Sequence, residues 1–163
     1  MKELRRAQPD EAEKVAAFQR AAYERNQIIL GVEPIPLQAD YANILRDYEV
    51  WLYESEGKLA SILILQARPD DLLIWSLAIA PNARHIGLGN RLLDAAETRA
   101  RELGKNVIRL YTGELLVDNV AWYRRRGYAP TGHADFPYND PSVGRPKRAD
   151  LRFVVLEKAL PGI

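Results

Sequence analysis

The feature that most constrains the fold of this chain is an almost uninterrupted apolar run at residues 72–79, Leu-Leu-Ile-Trp-Ser-Leu-Ala-Ile. Turn-forming residues bound it, with Pro69, Asp70 and Asp71 before it and Pro81 after it. A strand that is apolar on both faces belongs in the middle of a sheet whose two faces are covered. The sequence therefore predicts a central strand here, enclosed between layers of other secondary structure.

A long amphipathic helix is predicted directly after this strand. Its apolar residues recur at helical spacing: Leu88, Leu92, Ala96, Ala100 and Leu103. Gly104 is a natural C-terminal stop, because glycine readily adopts the left-handed conformation that ends many helices. The chain thus passes from a buried strand into a helix that covers one face of the sheet.

The remaining segments alternate between strand and helix patterns. Further strands are predicted at residues 2–7, 50–53, 59–65, 107–111 and 151–156, with a tight turn at Glu56-Gly57. Further helices are predicted from Pro9, where Asp10 and Glu13 form a capping-box pattern, at residues 37–45 and at residues 119–126. No repeat or linker interrupts this order, so we predict a single mixed α/β domain over residues 1–163.

Composition excludes several classes of function. Lys and Arg number 23 against 22 Asp and Glu, which argues against a general nucleic-acid binder. The chain has no cysteine, so disulfides, zinc–thiolate sites and a cysteine nucleophile are excluded, and we predict no metal. It shows neither a signal peptide nor an apolar run long enough to span a bilayer, so we expect a cytoplasmic protein without membrane contact.

The connection between the central strand and the long helix, residues 79–90, has the chemistry of an anion site. Gly87 and Gly89 flank Leu88 where the helix is predicted to begin. Backbone amides at a helix start have no partner within the helix, and the helix dipole favours a negative charge there. Glycine lets a phosphate approach the backbone closely. This turn is therefore predicted to hold a pyrophosphate on main-chain N–H groups.

Two other phosphate-binding turns do not fit this segment. A P-loop would continue with Lys and then Ser or Thr, whereas this chain has Asn90 and Arg91. A dinucleotide fingerprint needs a third glycine at the position of Leu92. A nucleotide-binding domain is thereby disfavoured, and a plain glycine-rich turn without a ligand stays open on this segment alone.

The turn resembles the Arg/Gln-x-x-Gly-x-Gly/Ala signature of the GNAT superfamily of acetyl-CoA-dependent N-acetyltransferases. Arg84, Gly87 and Gly89 match the signature, and Pro81 fits its usual lead-in. The resemblance implies a GNAT-like acyl-CoA N-acyltransferase fold, which is a mostly antiparallel sheet flanked by helices. Its central strands splay apart to admit acetyl-CoA.

A second stretch, residues 118–128, resembles a later element of the same family. Tyr123 falls on the family's tyrosine, and Gly127-Tyr128 falls on the end of its short helix. The two motifs occur in the family's order, separated by one helix and one strand. This order is more specific than either motif alone.

The resemblance also implies which residues hold the cosubstrate. In relatives the turn's amides bind the coenzyme A pyrophosphate, and the preceding strand bonds the pantetheine arm. Carried over to this chain, the residues predicted to bind acetyl-CoA are Leu77, Ala78, Ile79, Arg84, His85, Ile86, Gly87, Leu88, Gly89, Asn90, Asn119 and Tyr123. The side chains of Arg84 and His85 are equally compatible with ordinary solvated loop positions.

Tyr123 is predicted to be the general acid of the transfer. A phenol with a pKa of about 10 is still protonated at neutral pH and can protonate a departing thiolate. A backbone N–H near Ile79 is the family's means of stabilising the oxyanion. The alternative is that Tyr123 only packs beside Trp122 in the core. Asn119 is also a candidate helix N-cap, a frequent use of asparagine.

The proton acceptor is less clear from the sequence. An alkylammonium group with a pKa of about 10.4 loses its proton at a cost of roughly 4–5 kcal/mol at pH 7. Some relatives carry a glutamate for this step on the central strand, but the matching residue here is Leu73. Glu114 is the predicted catalytic base, with Glu33 and His133 as further candidates. A water chain, or an acceptor that is already partly neutral, would also serve.

The predicted acceptor is a primary amine of a small molecule or a peptide, which attacks the thioester directly. The segment at residues 133–150 would help to wall its site, but the signals in it conflict. Phe136 and Tyr138 near carboxylates suit a cation, whereas Arg145 and Lys147 suit an acid. A homodimer is compatible with the sequence. The rival function is a non-catalytic acyl-CoA-binding regulatory module.

Overall fold

The computed structural model describes residues 3–83, 87–134 and 152–162, which form one seven-stranded sheet flanked by helices. The strands are β1 (Arg5–Arg6), β2 (Glu49–Ser55), β3 (Lys58–Ala67), β4 (Leu72–Ile79), β5 (Val107–Gly113), β6 (Ala129–Ala134) and β7 (Phe153–Ala159). The helices are α1 (Ala12–Ala22), α2 (Glu24–Leu30), α3 (Ile35–Gln38), α4 (Tyr41–Asp47), α5 (Leu88–Glu102) and α6 (Val117–Arg125). Across these ranges, no helix has both the length and the apolar character needed to cross a membrane.

The strand order is β1-β2-β3-β4-β5-β7-β6. Only β4 and β5 pair in parallel, and every other neighbouring pair of described strands is antiparallel. The predicted mixed α/β fold with a mostly antiparallel sheet is therefore confirmed. The strand predicted at residues 72–79 coincides with β4 and lies in the middle of the sheet, as expected for a run that is apolar on both faces.

Each face of the sheet carries its own buried cluster. Leu73 and Trp75 of β4 join the cluster beneath α1–α4, whereas Leu72 and Ile74 join the cluster beneath α5 and α6. All four side chains are at most 4% exposed. Burial of this kind contributes about 1.5–3 kcal/mol for each large apolar side chain, so β4 stabilises the packing of both layers.

The start of the first helical region differs from the prediction. The reciprocal capping pair is Gln8 with Glu11, not Asp10 with Glu13. The Glu11 carboxylate accepts a hydrogen bond from the Gln8 N–H (2.9 Å) and another from Arg5 (2.8 Å). These bonds, chiefly the one from Arg5, lower the pKa of Glu11 to about 2. Arg5 lies on β1, so this contact depends on tertiary structure that the local pattern does not contain.

The helix predicted at residues 37–45 is wrong as a single element, because the chain forms α3 and α4 instead. The backbone adopts an extended conformation at Ala39 (ψ 148°), where α3 ends. Asp40 then accepts a hydrogen bond from the Ala42 N–H at 3.0 Å and caps α4. A local side-chain cap of this type stabilises a new helix start and ends the preceding turn.

Strand β6 is an element that the sequence pattern does not predict. It contains Pro130 and Gly132, both unfavourable in a central strand, and five of its six residues are exposed. Among the described strands it pairs only with β7, at the edge of the sheet, with an irregular register between these two residues. An exposed edge strand lacks the apolar alternation that identifies strands from sequence.

Helix α6 begins at Val117, two residues before the predicted start, with Leu116 at its N-cap position. Asn119 therefore lies within the first turn, and its prediction as the helix N-cap is corrected. The side chain of Asn119 is thus not used to cap the helix, and it lines the cleft described below.

The two central strands separate after a short parallel contact. Pairing between β4 and β5 is limited to Leu72 with Ile108, Leu73 with Arg109 and Ile74 with Leu110. Both strands continue beyond these pairs, to Ile79 and Gly113. Their facing edges are not paired with each other there, so the sheet is open at one end.

A β-bulge coincides with this separation. Ile64 of β3 pairs with Ser76 and Leu65 pairs with Ile74, which leaves Trp75 as the extra residue. A bulge bends its strand and increases its twist, which favours divergence from the next strand. It also places Trp75 and Ser76 on the same face, since Trp75 packs edge-to-face against Tyr48 while Ser76 bonds to the α1 side.

An ionic cluster holds the closed end of the same two strands together. Asp71, which is 2% exposed, accepts a hydrogen bond from the Arg68 Nε (2.7 Å) and another from Arg109 on β5. Arg109 also donates through its Nε to Glu157 on β7 (2.7 Å). A buried carboxylate between two guanidinium groups resists separation, because removing one partner leaves the other charges uncompensated.

We expect Asp71→Asn to lower the free energy of unfolding by about 2–4 kcal/mol, since two partly exposed arginines lose their anionic partner. Urea denaturation followed by tryptophan fluorescence measures the change. Asp70→Asn is the matched control, because this exposed neighbour has no ion pair among the described residues and should change stability by less than about 0.5 kcal/mol. Equal effects of the two substitutions would contradict the assignment.

Candidate active site

The opening between β4 and β5 forms a cleft of about 110 Å³. One wall comes from α2 and the following loop, and the other comes from β5 and α6. The described lining residues are Tyr23, Asn26, Leu30, Glu33, Pro34, Ile35, Pro36, Ile74, Trp75, Ser76, Leu77, Leu110, Tyr111, Thr112, Gly113, Leu116, Asn119, Tyr123 and Phe153. The cleft joins residues from both faces of the sheet at the place where the sheet splits.

Tyr123 lines this cleft from α6. Its ring contacts the rings of Trp122 and Tyr128 at centroid distances of 4.8 and 5.7 Å. Burial raises the pKa of the Tyr123 phenol well above its usual value, with smaller contributions from Tyr23 and Tyr128. The phenol therefore stays protonated at neutral pH. Its position is compatible with both the packing role and the acid role.

A hydrogen-bonded group that the sequence analysis misses lies on the opposite wall. The Ser76 Oγ accepts a hydrogen bond from the Gln19 Nε2 (3.0 Å) and lies 2.8 Å from the Tyr23 hydroxyl. Burial raises the pKa of Tyr23, and the bond with Ser76 opposes this rise. The available signal was Gln19 itself, which lies between Val15 and Ala22 on the buried face of α1 and is 0% exposed. Buried polar side chains usually have a structural or functional partner.

The three candidate bases occupy different places. Glu33 is half-buried and lines the cleft. Glu114 is not among the described lining residues; it lies at the surface with its Oε1 3.9 Å from the Nε2 of His133, and both side chains are more than 40% exposed. Leu73, the position of the family's strand glutamate, is 0% exposed in the apolar core. The structure thus brings only Glu33 of these carboxylates to the cleft.

Leu77, Ala78 and Ile79 form the open part of β4. On one side they pair with β3, with Leu63, Ile62 and Ser61 as their respective partners. Their other edge faces the gap beyond the last pair with β5. An unpaired strand edge can accept an added strand-like chain through main-chain hydrogen bonds.

The predicted anion turn lies beyond this strand. A short 3₁₀ turn spans Pro81–Ala83, and Arg84, His85 and Ile86 lie outside the described residues. Gly87 is the N-cap of α5 in the left-handed conformation (φ 78°), which favours glycine. It has no side chain to cap the helix, so the first amides of α5, from Leu88 to Asn90, lack a side-chain cap. This helix start has the partners that an anion needs.

Gly89 has a packing role as well. A Cβ atom at this position would lie 2.7 Å from the Cζ2 atom of Trp122, so glycine lets α6 pack against the start of α5. Arg126 strengthens this contact, since it lies 4.5 Å from the Trp122 ring and donates a hydrogen bond to the Asn90 Oδ1. The side chain of Asn90 is therefore engaged with α6, and its backbone amide remains in the first turn of α5.

The described parts of the cleft and the turn fit a coenzyme A thioester. An uncapped helix start, a free strand edge and a protonated phenol suit a pyrophosphate, an amide-bearing arm and a sulfur leaving group respectively. Within the described ranges, no three His, Asp or Glu side chains gather as a metal-binding group.

The sequence pattern of the acetyltransferase (GNAT) family matches residues 12–128 of the 163-residue chain. The chain belongs to this family. The matched part begins in α1 and ends at Tyr128, so it includes the GNAT turn at the start of α5 and the tyrosine of α6. The predicted family resemblance is confirmed.

Curated GNAT relatives match only in part. The chain is 37% identical over 84 residues to the amino-acid acetyltransferase of Pseudomonas putida strain GB-1, which is 52% of this chain and 18% of that protein. It is 26% identical over 136 residues to rat (Rattus norvegicus) N-acetyltransferase family 8 member 2, which is 68% of this chain and 60% of that protein. The chain thus spans less than a fifth of the first relative and less than two thirds of the second.

Solved GNAT structures share the fold. The PaiA N-acetyltransferase of Thermoplasma acidophilum, in complex with coenzyme A, superposes with a TM-score of 0.73 at 17% identity, over 96% of this chain and 98% of that one. A GNAT family acetyltransferase of Elizabethkingia anophelis with acetyl-CoA bound gives a TM-score of 0.60 at 17% identity, over 72% of this chain and 80% of that one. At these identities the similarity shows the fold.

We expect Gly89→Ala to weaken the packing between the two GNAT helices α5 and α6. The added Cβ would force Trp122 away, at a cost of about 1–3 kcal/mol in the free energy of unfolding. Thermal unfolding measures this loss. Gly132→Ala is the matched control, because a Cβ at Gly132 meets nothing within 4 Å. If Gly89→Ala leaves the free energy of unfolding unchanged, the close approach of Trp122 to Gly89 is contradicted.

Proposed function

We propose that this chain transfers an acetyl group from acetyl-CoA to a primary amine, with Tyr123 as the general acid. The observation that carries the proposal is a buried, protonated phenol in the cleft where β4 separates from β5. The uncapped start of α5 follows β4 along the chain. Membership of the GNAT family supports the same reaction. Acetyl-CoA supplies an acetyl group activated as a thioester, and the amine attacks it directly.

The binding roles follow from the same elements. We propose that the backbone of Leu77, Ala78 and Ile79 holds the pantetheine arm and that the amides from Gly87 to Asn90 hold the pyrophosphate. Asn119 faces the cleft from the first turn of α6 and supplies an amide for the same arm. Arg84, His85 and Ile86 keep the binding role that their place in the family's turn implies.

Tyr123 supplies the proton for the leaving sulfur. Its pKa is raised chiefly by burial, so the neutral form persists through the whole physiological range. The raised pKa also makes the free energy of unfolding depend on pH, because the folded state favours the neutral phenol over the ionised one. The contribution of Tyr123 to the free energy of unfolding is complete below the unfolded pKa of about 10. It is lost only as the pH rises above that value.

Glu33 is the carboxylate that we propose to draw the proton from the acceptor. It lines the cleft that contains Tyr123, whereas Glu114 lies on a separate surface depression beside Val117 and Arg124. A carboxylate must be within reach of the acceptor nitrogen, directly or through one water, to act as a base. The geometry therefore favours Glu33 over the originally predicted Glu114.

We expect Tyr123→Phe to lower kcat by 10²-fold or more while acetyl-CoA affinity changes less than threefold, because the substitution removes only the phenolic hydroxyl, which is the proton donor. Coenzyme A release assays with an amine panel measure kcat, and calorimetric titration with acetyl-CoA, ATP and NAD measures binding. Trp122→Phe is a control for ring packing on α6. Unchanged turnover in Tyr123→Phe would overturn the acid role, and acetyl-CoA binding without any turnover in the native chain would favour a regulatory module.

We expect Glu33→Gln to lower kcat/KM by about 10–10³-fold at pH 7 and to recover towards pH 9, where more of the amine is already neutral. The pH–rate profile measured with one acceptor tests this. Glu114→Gln is the matched control and should leave the profile unchanged, since Glu114 lies outside the cleft. If Glu114→Gln alone impairs turnover, the assignment of the base to Glu33 is wrong.

A further inference from the structure

The large hydrophobic side chains that remain exposed among the described residues lie on α2 and at the start of α6. Ile28 and Ile29 of α2 are 74% and 44% exposed, and Leu115 and Val117 are 47% and 67% exposed. Three of them, Ile29, Leu115 and Val117, line one depression and form the rim patch. Clustered apolar exposure on a soluble domain marks a surface that contacts something else.

The rim patch is continuous with the cleft. Ile29, Leu115 and Val117 line a depression of about 190 Å³ that shares Asn26 and Asn119 with the cleft lining. Arg25 of α2 lies 3.3 Å from Asp118 of α6 across this depression, so the two helices present the patch as one surface. A molecule that leaves the cleft on this side passes directly onto apolar side chains.

Two asparagine side-chain amides lie at the junction between the cleft and the rim patch. Asn26 and Asn119 are half-buried and line both cavities. Each side-chain amide presents donors and an acceptor, which is the complement of a peptide bond. Ile29 follows Asn26 by about 4.5 Å along the helix axis. An extended peptide advances about 3.3 Å per residue, so its second or third side chain reaches the patch.

Leu73 stands where some relatives carry a catalytic glutamate, and the missing carboxylate also favours a peptide as the acceptor. A peptide α-amine has a pKa of about 7.7–8.0, against about 10.4 for an alkylamine such as lysine. At pH 7.5 roughly a third of the α-amine is already neutral, compared with roughly 0.1% of the alkylamine. A site with the single cleft carboxylate Glu33, among its described lining residues, is therefore better matched to an α-amine.

Building on the proposed function, we propose that the acceptor is the free N-terminus of a polypeptide with apolar residues at its second and third positions. The α-amine enters the cleft beside Glu33, the first peptide bond meets Asn26, and the apolar side chains cover the rim patch. The nitrogen lone pair forms the new C–N bond as the C–S bond breaks. The sulfur takes the proton of Tyr123, the nitrogen's proton passes to Glu33, and both groups return to their starting states through water.

Four acceptors distinguish this proposal from its rivals. They are a heptapeptide that begins Ala-Ile-Ile, the same peptide beginning Ala-Ser-Ser, an N-terminally blocked peptide with one lysine, and 2-phenylethylamine. We expect the Ala-Ile-Ile peptide to have the highest kcat/KM at pH 7.5, about 10-fold above Ala-Ser-Ser. Mass spectrometry should place the acetyl group on its α-amine. A preference for the lysine peptide or for 2-phenylethylamine would overturn the proposal.

The double substitution Ile29→Ser and Val117→Ser tests the surface itself. Both side chains are exposed, so the fold should tolerate the change. We expect kcat/KM for the Ala-Ile-Ile peptide to fall about 10-fold, while the Ala-Ser-Ser peptide and acetyl-CoA affinity are unaffected. An equal effect on both peptides, or none on either, would overturn the role of the rim patch.

Failure of this inference is separable from failure of the proposed function. Acetyl-CoA binding together with turnover of small amines alone would overturn the peptide acceptor and leave the acetyltransferase assignment standing. Absence of acetyl-CoA binding by calorimetry would overturn both.

Discussion

The short parallel contact between β4 and β5 is the constraint on which the rest of the molecule depends. At one end, Asp71 binds arginines from the turn before β4 and from β5, and this holds the strands together. After Ile74 the pairing stops, and the bulge at Trp75 turns β4 away. A sheet paired along its whole length would have no cleft and no free strand edge.

The same separation brings together residues from opposite faces of the sheet. Ser76 faces α1 and holds Tyr23, whereas Tyr123 belongs to the layer beneath α5 and α6. Both tyrosines nevertheless line one cleft, and each has its pKa raised chiefly by burial. An opening through the sheet thus lets the proposed phosphate-binding helix start on one side cooperate with the proposed acceptor surface on the other.

Sequence reasoning succeeded where the signal was long and periodic. β4 matches its prediction at both ends, and α5 ends near Gly104, which adopts the left-handed conformation (φ 68°). It failed where a short element depends on a partner in another element. β6 is defined by its pairing with β7, and Glu11, which caps the first turn, is held by Arg5 of β1. These contacts leave little trace in local composition.

The sequence by itself predicted the anion turn, because its basis is the backbone chemistry of a short segment. The order of the two family motifs and Tyr123 as the candidate acid came from the resemblance to the GNAT family, which is also carried by short segments. Only the tertiary structure decided that Glu33 faces the cleft and Glu114 does not. It alone revealed the bond between Gln19 and Ser76 and the rim patch. Which side chains from distant segments converge depends on how helices pack on a twisted, split sheet, and packing is a property of the whole chain.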